Sequence, residues 1–252
     1  MSVIERKALR FGGFSHLNLW FKVDGHFGAR GARPPHYFAD RMSRDETSFT
    51  PDELRQLRLR LRRERAALSD ERLEIHSALI CDHLLRWFQR WQPHCIGAYR
   101  GLRGEVDLTP LTVSLARRGT RIALPVMDAK RPGRMHFHAW GPDVPLCQNG
   151  FGIAEPCPDA PRIWRREMQV VLLPLVAFDH AGNRMGMGAG YYDRYFARRR
   201  FGIHRPKLIG VAHALQGVEA LPSQPWDVPL DGVVTEDGWH ALPRRARHNT
   251  HT

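Results

Sequence analysis

Val170–Phe178 is an apolar run interrupted only by Pro174, and it limits the folds open to this chain more than any other segment. It is too short to span a bilayer, and its length, valine content and bounding residues suit a buried strand. A strand apolar at nearly every position must be covered on both faces, which calls for helices above and below a sheet. The run passes straight into a glycine-rich loop, and the loop into a helical segment predicted over residues 191–200. Strand, glycine loop and helix in that order suit a ligand cradle as well as a tight structural turn.

The remaining pattern agrees with an α/β chain. Thr50-Pro51-Asp52-Glu53 is a capping box with proline at the first helical position. Leu54, Leu57 and Leu61 continue it as an apolar stripe among arginines. Ser69-Asp70-Glu71 opens a second helix, with acids where the helix dipole favours them and with Leu73, Ile80, Leu84 and Trp87 facing inward. Strands are predicted over 95–99, 120–127, 135–140, 169–178, 207–214 and 232–235. A helix over 109–118 is closed by Gly119, and a proline-rich loop runs to Pro161. Strand–helix alternation of this kind builds a sheet with helices on its faces.

Residues 1–48 lack either periodicity and are expected to be a poorly ordered extension, with Met42 as an alternative start. The ordered domain is expected over 49–240, followed by a basic flexible tail over 241–252. The chain carries a formal charge of +12, but only four of its 38 basic residues are lysine. Arginine spread along the whole length reads as compositional bias, so the charge points to anionic small molecules rather than to nucleic acid. Cys81, Cys95, Cys147 and Cys157 show no paired metal-ligand spacing and are expected to be buried thiols in a reducing cytoplasm. The fourteen histidines are scattered. His136 and His138 share one face of a predicted strand and are read as a half-exposed surface in preference to a metal pair. His180 and His213 sit at a turn and a strand end, and none is assigned to chemistry.

The chemistry is concentrated in Gly182-Asn183-Arg184-Met185-Gly186-Met187-Gly188-Ala189-Gly190-Tyr191-Tyr192-Asp193-Arg194. Glycines at 186, 188 and 190 remove side chains where backbone must bend and approach a ligand, and their amides can face phosphate oxygens. Arg184 adds a forked cationic donor. Asp193 is a carboxylate suited to magnesium or, more plainly, to a helix first turn. The spacing is neither that of the Walker loop nor that of the dinucleotide fingerprint.

The segment Leu173–Asp179 followed by Gly182–Arg194 resembles the signature of the 5-formyltetrahydrofolate cyclo-ligase family. Further blocks follow in the family's order: the basic helix through Arg58 and Arg65, Gly104-Glu105-Val106-Asp107, Phe151-Gly152-Ile153-Ala154-Glu155-Pro156, and Trp226–Asp231. The resemblance covers roughly residues 51–240. It implies a Rossmann-like three-layer αβα sandwich of the NagB/RpiA/CoA-transferase-like type. It also implies an ATP- and Mg2+-dependent ligase that phosphorylates the formyl oxygen of 5-formyltetrahydrofolate, after which N10 attacks.

Carried over by position, Arg55, Arg58 and Arg184 with Met185, Gly186, Met187, Gly188, Ala189, Gly190, Tyr191 and Tyr192 would hold ATP. Glu105, Phe151, Gly188, Ala189, Gly190 and Tyr191 would hold the folate, and Asp193 and Asp227 the metal. Arg184 and Tyr191 are the expected catalytic residues. Leu54 stands where the family usually has lysine. Arg184, Asp193 and Glu105 are expected to converge on one cleft at the carboxyl ends of the strands. The expected partner is a small-molecule folate, polyglutamylated or not, bound by a cytoplasmic monomer without membrane or nucleic acid.

Overall fold

The computed structural model describes residues 49–102, 104–150, 152–197, 205–240 and 242. The expectations for residues 1–48, for Phe151 and for nearly all of the tail over 241–252 therefore lie outside the described residues. Helix α1 (Pro51–Ala66) begins as its sequence dictates. The Thr50 N–H donates to Glu53 Oε2 at 2.7 Å, and the Glu53 N–H donates to Thr50 Oγ1 at 3.2 Å. Helix α2 (Asp70–Trp91) is capped by Ser69, and Gln92 ends it in the left-handed region just before Pro93.

Strand β1 (Cys95–Gly97) leads to α3 (Thr109–Arg117) and β2 (Arg121–Met127), then β3 (Met135–Trp140). Three short strands follow, β4 (Leu146–Gln148), β5 (Ala154–Pro156) and β6 (Arg162–Ile163). Next come β7 (Val170–Pro174), β8 (Ala177–Phe178), β9 (Arg184–Met185) and α4 (Tyr191–Phe196). The chain closes with β10 (Lys207–Val211), β11 (Gly232–Thr235) and β12 (Gly238–His240).

Eight strands form the main sheet in the order β12-β11-β10-β7-β1-β2-β3-β6. The five from β11 to β2 run parallel, and β12, β3 and β6 join antiparallel at the two sides. Central β7 shows why the sheet is covered twice. Val170 and Leu172 pack with Ile80, Leu84, Phe88, Leu111 and Leu115 of α2 and α3. Val171 and Leu173 face the other way, into the cluster that holds Phe137 and Phe196 of α4. Successive side chains of one strand thus feed two cores, and the result is a three-layer α/β fold.

The chain connects β1 to β2 on one side and β7 to β10 on the other. The strand order therefore reverses between β1 and β7, the place where open α/β sheets gather ligands at their carboxyl ends. No helix among the described residues is long and apolar enough to cross a membrane.

Several expectations need correction. The run expected as one strand over 169–178 divides into β7 and β8, because the chain leaves the ladder after Pro174 and Ala177–Phe178 pair with Arg184–Met185 instead. The first strand stops at Gly97, β10 stops at Val211, and α4 is described only as far as Phe196. The supposed loop to Pro161 contains the β4–β5 hairpin, which pairs Cys147 with Glu155. That register places Cys147 diagonally across from Cys157, and the two form a disulfide with Cα atoms 5.0 Å apart. They are not buried thiols, whereas Cys81 and Cys95 are. His136 and His138 hold the surface role read for them, with His138 Nδ1 2.7 Å from the Ala160 carbonyl.

Candidate active site

Asp179, immediately after β8, organises the glycine-rich loop. Its carboxylate is 2% exposed and accepts from the amides of Ala181, Asn183 and Leu221, each at 2.9 Å. A buried carboxylate saturated with backbone donors fixes a turn, and Gly182 completes this one at φ +83°. The turn returns the chain as β9 and delivers Arg184 to the mouth of the loop. One Arg184 NH2 lies 2.6 Å from Asp193 Oδ1, and its other terminal nitrogen donates to the Val228 carbonyl. The Val228 N–H returns to Asp193 Oδ1 at 3.1 Å. Arg184, α4 and the Trp226–Asp231 segment are thereby tied together.

A cleft of about 470 Å³ opens over this tie. Arg58, Arg184, Gly186, Gly188, Asp193 and Asp227 line it, and so do Met185 and Gly190. Arg58 reaches across from α1, its Nε donating to the Gly186 carbonyl at 3.0 Å. Gly188 has φ +100°, a conformation that L side chains rarely adopt, so glycine is required there for backbone reasons. A Cβ on Gly186 would meet nothing within 4 Å, so that edge of the loop opens toward space rather than toward protein.

Not every expected residue joins the cleft. Arg55 is exposed and pairs with Asp52 at 3.5 Å instead of reaching the loop. Met187 is half exposed, and the Ala189 carbonyl accepts from Arg194. Tyr191 lies beside an adjoining cavity, under the Arg194 guanidinium. Leu54, in the usual lysine position, lines the cleft as an apolar wall.

Glu105 stands apart from the cleft wall, in the turn after β1 at the switch point. Its Oε1 is 3.3 Å from Arg65 NH1, and its Oε2 accepts the Leu102 amide at 3.1 Å. Burial pushes its carboxyl above the ordinary range, and the Arg65 charge opposes that shift. Tyr192, on α4, is partly buried between the charges of the two places. Burial raises its phenol strongly; the Glu105 charge adds to that rise and Arg184 works against it, so the ring lies within electrostatic reach of both. Arg58 and Arg65, seven residues apart on one face of α1, likewise serve the glycine loop and Glu105 respectively.

Sequence reasoning placed Asp179 and Arg65 in the family's blocks but gave neither a role. Arg65 is 5% exposed on a helix that is otherwise mostly exposed, and among the described residues its Nε has no hydrogen-bond partner. Its seven-residue offset from Arg58 was the available signal. Asp193 and Asp227 on one cleft wall offer the hard oxygen donors magnesium takes, and a glycine cradle flanked by Arg58 and Arg184 suits a polyphosphate. The residues present fit both groups.

Comparison with known proteins agrees with this architecture. The profile of the 5-formyltetrahydrofolate cyclo-ligase family matches residues 51–236. The chain is 33% identical over 176 residues to the 5-formyltetrahydrofolate cyclo-ligase of Escherichia coli (strain K12), a match covering 69% of this chain and 96% of the relative. It is 35% identical over 182 residues to that of Haemophilus influenzae, covering 71% and 95%. The structure of Aquifex aeolicus 5,10-methenyltetrahydrofolate synthetase superposes with a TM-score of 0.64 at 30% identity, over 79% of this chain and 98% of that one. The chain is a member of the 5-formyltetrahydrofolate cyclo-ligase family, and an enzyme of that ligase class.

Proposed function

We propose that the chain converts 5-formyltetrahydrofolate and ATP to 5,10-methenyltetrahydrofolate, ADP and phosphate, using Mg2+. The observation that carries this reading is the cleft in which Arg58, Arg184, Asp193 and Asp227 surround an open glycine loop. Phosphoryl transfer demands positioning and charge neutralisation more than covalent help from the protein, and these groups are of that kind. The formyl oxygen attacks the terminal phosphorus and ADP departs. N10 then attacks the activated formyl carbon, and phosphate leaves with the former formyl oxygen.

Arg184 and Arg58 orient the phosphates, and their charges meet the charge that develops on the transferred group. Asp193 and Asp227 would hold magnesium, which supplies further neutralisation of the phosphate oxygens. Asp193 Oδ1 is already engaged by Arg184 and Val228, so Oδ2 is the atom left for a cation. The loop amides from Met185 to Tyr192 cradle ATP, and Gly188 to Tyr191 border the folate, with Tyr191 on the side of the adjoining cavity. Glu105 pairs with pterin N–H groups, and the buried Arg65 Nε is a donor that such a ligand would satisfy. Phe151 would stack on the folate ring system.

The proposal further takes 49–240 as the catalytic domain between two extensions, acting as a cytoplasmic monomer on folates with or without a polyglutamate tail. Its test is the growth of methenyl-folate absorbance in purified protein given 5-formyltetrahydrofolate, ATP and magnesium. Product that requires ATP is expected; its absence from folded protein would overturn the assignment.

A further inference from the structure

Outside the cleft, three ligand-bearing side chains converge from three elements. His76 lies on α2, His213 follows β10, and Glu236 lies in the turn between β11 and β12. His76 Nδ1 is 3.1 Å from His213 Nδ1 and 3.2 Å from Glu236 Oε1. One ligand atom from each lies within 4.8 Å of the others. His213 is fully buried, and the His76 and Glu236 side chains are 18% and 12% exposed.

We propose that His76, His213 and Glu236 form a binding site for a divalent transition-metal cation of the zinc class, distinct from the nucleotide cleft. Proton accounting carries the argument. His213 Nε2 is 3.0 Å from the Gly104 carbonyl. A carbonyl can only accept, so Nε2 holds the proton and the neutral ring presents a bare lone pair at Nδ1. Glu236 presents a carboxylate oxygen to the same spot. His76 Nδ1 therefore has at most one proton to share between two acceptors. If it donates to Glu236, the buried His213 lone pair faces a nitrogen with nothing to give it; if it donates to His213, Glu236 Oε1 loses its donor. A cation satisfies all three at once.

Two of the three ligand separations and the surroundings agree, and the third pair, His213 and Glu236, lies within 4.8 Å. Metal–ligand bonds of about 2.0–2.1 Å in a tetrahedral site separate neighbouring ligand atoms by about 3.3 Å, close to both short separations here. Two imidazoles and one carboxylate favour zinc over magnesium, and a fourth position would be left for water. The ligands are also held from behind. The Gly104 carbonyl fixes the His213 tautomer, and the Ala214 N–H donates to Glu236 Oε2 at 3.0 Å, steadying the carboxylate. Through Gly104 the site adjoins the turn that carries Glu105, so a bound cation would stiffen that turn.

Cobalt(II) titration of the chelator-treated full chain tests it, because tetrahedral cobalt gives strong visible absorption that octahedral sites lack. The native protein is expected to develop that absorption and to lose it on adding zinc but not magnesium. His76→Gln and Glu236→Gln, checked for folding by circular dichroism, should each weaken cobalt binding at least about tenfold. Asp227→Asn should leave it unchanged. Absence of the tetrahedral spectrum from native protein, or its full persistence in both folded variants, would overturn the proposal.

Discussion

At the scale of single residues, Glu105 and Gly188 give the sharpest expectations. Burial raises the Glu105 carboxyl despite Arg65 beside it. A carboxyl raised on folding contributes stability that is present below its unfolded value and is lost as pH rises through the raised value. Ionised Glu105 is thus held at some expense to the fold. Folate affinity should fall as pH drops through that raised value, at higher pH than an ordinary carboxylate would give. Glu105→Gln should remove this limb from the pH profile of KM, and a limb of native strength in the variant would contradict the role. Gly188→Ala should cost about 1–2 kcal/mol in denaturant unfolding, because φ is +100° there. A neutral effect would mean that the loop relaxes at no cost.

At the scale of elements, α1 carries the two arginines that contact the glycine loop and Glu105, yet few of its side chains are buried. Leu61 is 3% exposed and packs with Val176, Ala177, Met185 and Leu221, with Leu54 and Leu57 alongside. Arg65→Ala would leave Glu105 buried without its cation and should destabilise the fold by about 3–5 kcal/mol. Arg55→Ala, on the exposed face, should leave unfolding nearly unchanged. The β4–β5 hairpin makes a covalent prediction: thiol titration of unfolded, unreduced protein should find two thiols, Cys81 and Cys95. Four would contradict the disulfide.

These elements also show what a sequence can reveal. The capping box of α1, the glycine after α3 and the two-faced apolar run of β7 are local signals, so their elements were legible. The β4–β5 hairpin was not, because its strands are three residues each and their pairing appears only in space. The glycine loop was legible through its own motif. The His76–His213–Glu236 cluster was not, since its members belong to three separate elements and share no spacing.

At the scale of the molecule, the reversal of strand order between β1 and β7 places the Glu105 turn and the Arg184 loop on neighbouring strand ends, and α1 spans both. The proposed folate turn and nucleotide loop, joined by one helix, suit a reaction that brings a nucleotide to a second substrate. They also explain why Glu105 stands beside the cleft rather than in its wall. The expected convergence held for Arg184 and Asp193 and not for Glu105, which lies outside that cleft wall against Arg65 of α1.

The central claim is that the Arg184–Asp193 cleft performs the phosphoryl transfer. Its most direct test is methenyl-folate formation at saturating ATP and magnesium by Asp193→Ala protein whose fold is verified by circular dichroism. Loss of at least about a hundredfold in kcat beside an active native enzyme is the predicted result. Native turnover by the folded variant would contradict the account and move the chemistry elsewhere on the sheet.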